Sequence, residues 1–65
     1  MDELYRLLVM FDVGKPVTRK RLLRVNGITA ALIQKALDES CIIETKVGDD
    51  KEIGYLITDI GIKRR

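Results

Sequence analysis

Histidine and tryptophan are missing from this chain, and cysteine and proline occur once each. Without histidine, and with a single thiol, there is no all-protein zinc site, no intramolecular disulfide and no Ser-His or Cys-His nucleophile pair. Paired inward carboxylates and a Gly-rich phosphate loop are lacking too, so neither an enzyme nor a bound metal or cofactor is expected. No apolar run reaches the ~18 residues of a membrane-spanning helix. The amino terminus, Met1 to Arg6, is acidic where a secretory leader would be basic. A cytoplasmic protein is expected.

What is present is 65 residues, 46% apolar and 34% charged, the balance of a single globular domain over 1–65 with one core. A chain of this size buries only about 60% of the surface its unfolded form exposes. A deep walled pocket is therefore not expected, and binding belongs on the outside. The net charge of +2 is unevenly spread: residues 14–24 hold five basic side chains and no acid, whereas residues 38–60 hold seven acids against two bases.

Leu4, Leu7, Leu8 and Phe11 recur at i, i+3, i+4 and i+7, which predicts a core-facing helix over residues 2–12 with Asp2 as its cap. Gly14 supplies a left-handed stop and Pro16 prevents continuation. Thr18 opens a second, short helix, with Val17 and Leu22 placed as a hydrophobic staple, and Asn26-Gly27 closes it. Thr29 opens a third, with Ile28 and Ile33 as its staple and Ala30, Ile33, Ala36 and Leu37 as the inward stripe, ending near Ser40. From Cys41 the period changes to alternation, with Ile43, Thr45 and Val47 on one side and Ile42, Glu44 and Lys46 on the other. Gly48-Asp49-Asp50-Lys51 is turn chemistry, and Ile53, Tyr55 and Ile57 form the return strand. A lone hairpin is marginal in water, so residues 15–17 are a possible third strand at the sheet edge.

The predicted class is α+β, three helices followed by a β-hairpin. Two stretches carry a resemblance. Leu37-Asp38-Glu39-Ser40-Cys41-Ile42-Ile43-Glu44 is similar to an "L-x-x-x-G-L-I-E" exit from a recognition helix, and Tyr55-Leu56-Ile57-Thr58-Asp59-Ile60-Gly61 to a "Y-x-L-T-x-x-G" run after a wing. Together, at this spacing, the chain resembles the winged helix-turn-helix domain of small prokaryotic transcription regulators. Two departures stand out. Cys41 replaces the usual glycine, implying a backbone there without positive φ, and the wing tip carries Asp49 and Asp50 where wings that enter DNA usually offer cations.

The resemblance implies a DNA-binding transcriptional regulator whose third helix faces the major groove through Thr29, Ala31, Gln34 and Lys35, with Asp38 at the far end opposing approach. From the residues themselves, Arg19, Lys20 and Arg21 sit in the first turn of the second helix, where the macrodipole disfavours cations. With Arg24 they form either a phosphate-binding group or a solubilising face. Lys63, Arg64 and Arg65 either lie along phosphates or form a frayed end, and Cys41 is read as a buried apolar filler. Tyr5, Val9 and Met10, with Ile60 and Ile62 from the tail, form the expected interface of a homodimer; their alternative is completion of the monomer core. A rival function is a protein-binding winged helix, an adaptor or modulator without DNA affinity. Glu44, Asp49, Asp50 and Glu52 would then offer an anionic face to a basic partner.

Overall fold

The computed structural model describes residues 3–65. Leu4, Leu7, Leu8 and Phe11 are all buried, as their spacing requires, but the regular helix beneath them, α1, spans only Tyr5–Leu8. The chain then tightens into i→i−3 bonds, Met10 N–H to Leu7 O and Phe11 N–H to Leu8 O, so the coil reaches Phe11 without lasting as an α-helix. This corrects the longer helix expected over 2–12; the capping role assigned to Asp2 lies outside the described residues. Gly14, at φ +78°, turns the chain back, and an isolated bridge pairs Asp12 with Lys15.

Strand β1 is Val17–Thr18, which overlaps the expected 15–17 only at Val17. Pro16 has no N–H for a ladder, so pairing starts after it. Thr18 then caps α2, Arg19–Leu23, accepting the Arg21 N–H in its hydroxyl oxygen. Thr29 does the same for α3, Ala30–Asp38, taking the Leu32 N–H. Both staple pairs, Val17 with Leu22 and Ile28 with Ile33, are buried. The stripe of α3 needs one correction. Ile33 and Ala36 point inward and Leu37 half so, but Leu32 is buried in place of Ala30, which is exposed. The buried arc is centred between Ile33 and Ala36, leaving Ala30 about a quarter-turn away.

α3 ends in a complete Schellman motif: Cys41 N–H reaches Ala36 O, and Ser40 N–H reaches Leu37 O. The left-handed residue is Ser40, at φ +62°, so the position ahead of Cys41 carries the positive φ and Cys41 itself is free of it. Cys41 and Ala36 are both fully buried, the apolar contact that usually accompanies this motif. Strands β2, Ile42–Val47, and β3, Glu52–Ile57, form the expected hairpin around the turn 48–51. With β1 on the far side of β3, the sheet is three-stranded and antiparallel in the order β1-β3-β2.

A fourth helix, α4, spans Asp59–Arg64, where the sequence reading ended in a tail. Thr58 caps it, accepting from Gly61 N–H, and it packs on α1 and β3. Arg64 pairs with Glu39, and Arg65 donates to Phe11 O at 2.6 Å, so neither belongs to a frayed end. The protein is an α+β domain whose described residues form four helices and one three-stranded sheet. No helix among the described residues is long and apolar enough to cross a membrane.

Candidate nucleic-acid interface

With Leu22 buried, the helical period puts Lys20 and Arg24 on the opposite, outer side of α2, Arg21 on one flank, and Arg19 with Leu23 on the other. Lys20, Arg21 and Arg24 are exposed, and among the described residues their side chains make no hydrogen bond or ion pair. Arg19 differs. It is half-buried and donates from Nη1 to the Tyr55 hydroxyl at 3.1 Å, tying α2 to the middle strand. The four cations expected to act together therefore divide into three that are free and one that serves the fold. α2 has five residues, and its cap already takes one of the amide donors at its start. The cationic side chains, more than the short helix dipole, make this surface electropositive.

On α3, Thr29, Ala31, Gln34, Lys35 and Asp38 are all exposed, as the period requires. Several of these side chains are engaged. Thr29 caps its own helix, Gln34 Nε2 donates to Asp38 Oδ1 at 2.9 Å, and Lys35 Nζ pairs with Glu3 at 2.5 Å. The Gln34–Asp38 bond occupies one carboxylate oxygen and one Gln34 donor, and Asp38 keeps its negative charge at the end of the helix. Ala31 is bare.

One cation missed in the sequence lies beside this helix. The Arg6 guanidinium rests over Gly27, so close that a Cβ at that glycine would sit 2.7 Å from Nη1. Arg6, Glu3, Gly27, Thr29 and Leu32 line an open depression of about 310 Å³ at the start of α3. No local signal marks Arg6, which stands in an acidic stretch and is brought to α3 by the burial of its own helix.

The remaining expected positions fall elsewhere. Tyr5, Val9 and Ile60 are exposed, whereas Met10 and Ile62 are half-buried and pack on the core. The turn 48–51 presents Asp49 and Asp50 to solvent. An open, mainly apolar groove of about 410 Å³ runs between α2 and the start of β3, bounded by Arg19, Lys20, Leu23, Glu52 and Ile53. Comparisons with family models, curated proteins and solved structures find no match to this chain.

Proposed function

We propose that this chain is a small winged-helix DNA-binding domain, a cytoplasmic regulator that acts without chemistry of its own. One observation carries the reading. Lys20, Arg21 and Arg24 stand exposed within five positions and without a carboxylate partner among the described residues, whereas the other exposed and unpaired lysines, Lys15, Lys46, Lys51 and Lys63, are scattered along the chain. Three unpaired cations beside a helix whose outward face is open suit a polyanion, and the helix pair and hairpin accommodate what the resemblance implies. The three cations, with Arg6 near the start of α3, would hold phosphates. Ala31 and Gln34 would face base edges, and Lys35 would join them by exchanging Glu3 for the nucleic acid. With so few free donors on α3, affinity is mainly electrostatic and sequence preference weak.

The test is a titration of mixed-sequence duplex DNA at low ionic strength. Replacing Lys20, Arg21 and Arg24 together by alanine is expected to weaken binding at least about tenfold, and unchanged affinity rejects the assignment. Arg19 is left intact because its bond to Tyr55 belongs to the fold. The acidic turn at Asp49 and Asp50 favours one rival, a domain that docks a basic protein. That rival predicts no salt-sensitive DNA binding at any ionic strength.

A further inference from the structure

β2 is an edge strand. Its one neighbour is β3, and among the described residues no backbone hydrogen bond other than those of the hairpin involves Ile43 to Val47. One row of its amides and carbonyls is thus open, over a run without proline, glycine or bulge. Folded proteins usually protect such an edge with charge, most often lysine, that repels a second strand. Here the lysine is accompanied by a glutamate, so the edge carries charges of both signs that can pair with those of a second copy. Glu44 and Lys46 lie two residues apart on one face, both exposed and neither in a hydrogen bond or ion pair among the described residues. Ile43, on the other face, is 52% exposed although it is a large aliphatic side chain on a strand.

We propose that β2 is the dimer interface of this protein, pairing antiparallel with β2 of a second copy about a two-fold axis at Thr45. The occupant is identified by complementarity. In that register Glu44 faces the partner's Lys46, Lys46 faces the partner's Glu44, and Ile43 faces the partner's Val47. Two salt-bridged and two apolar cross-strand pairs thus flank a central Thr45 pair. A two-fold perpendicular to the sheet keeps each face on its own side, so neighbouring registers differ by a whole residue in the position of the axis. An axis at Glu44 sets glutamate against glutamate, and one at Lys46 sets lysine against lysine. Charge therefore selects the Thr45 register over both of these neighbours. The result is one sheet in the order β1-β3-β2-β2-β3-β1, which consumes the β2 edge of each copy and is closed by symmetry. It also uses the hairpin for self-association, in keeping with an acidic tip that phosphates would repel.

The pairing does not rest on the nucleic-acid reading, and the two fail separately, one in oligomeric state and the other in DNA affinity. Sedimentation equilibrium of the full chain up to ~1 mM is expected to show a monomer–dimer equilibrium. Glu44→Lys and Lys46→Glu are each expected to weaken it at least about tenfold, since either change creates two like-charge pairs per dimer. The double exchange E44K/K46E restores opposite charges and is expected to return the dimer to within about threefold of the original. Amide exchange at Ile43 to Val47 should slow as protein concentration rises. A chain that stays monomeric throughout overturns the proposal. So does association unaffected by the single changes, which would place the contact elsewhere, as on Tyr5, Val9 and Ile60. A double exchange as weak as its parents, or amides of β2 indifferent to concentration, overturns it too.

Discussion

Ser40 holds φ +62° to complete the turn out of α3, a conformation that costs an L-residue roughly 1–2 kcal/mol and glycine almost nothing. Ser40→Gly is therefore expected to raise stability by about 1 kcal/mol, less the extra entropy of the unfolded glycine, and thermal melting checks it. Thr58 acts at the same corner. Its hydroxyl proton reaches Ser40 O at 2.6 Å, its N–H reaches Cys41 O at 3.0 Å, and its oxygen accepts Gly61 N–H at 3.2 Å. One threonine thus caps α4 and fastens it to the end of α3. Thr58→Val keeps the shape and loses the hydroxyl; a destabilisation of about 1–3 kcal/mol is expected, while Thr58→Ser should retain most of the difference. Equal losses in the two variants would assign the effect to packing instead of the cap.

The elements that were legible in the sequence are those held by local chemistry. Thr18 and Thr29 announce their helices because a cap acts within three residues, and the hairpin shows itself through alternation around Gly48 to Lys51. α1 was legible in its stripe and not in its length, because periodicity reports which residues are buried and not how tightly the coil is wound. α4 was missed for a different reason. It has six residues with a glycine in the middle, and distant partners hold it: Ser40 and Cys41 at its start, Glu39 and Phe11 O at its end. Arg19 is a similar case, its partner Tyr55 lying 36 residues away. The Thr58 cap, Asp59 in the first turn and Lys63 and Arg64 in the last were the available signals. Gly61 is required where α4 meets the hairpin, since an added Cβ would collide with the Cys41 carbonyl and the Ile57 side chain. Gly61→Ala is expected to cost about 1–3 kcal/mol and to shift α4 from its seat, visible as faster amide exchange across residues 59–64.

At the scale of the molecule some charges are paired within the fold and others are not. Glu3 with Lys35 and Glu39 with Arg64 neutralise each other within the fold, while Lys20, Arg21 and Arg24 remain available on α2. Binding carried by such cations releases counterions from DNA, and the logarithm of the affinity falls with the logarithm of salt concentration by about 0.9 for each phosphate neutralised. The decisive measurement is that slope on mixed-sequence duplex DNA, for the unaltered chain and for the variant with Lys20, Arg21 and Arg24 replaced by alanine. A slope shallower by about 2.7 in the variant, together with weaker binding, is the predicted result. Equal slopes, or no binding by the unaltered chain even at low salt, would contradict it.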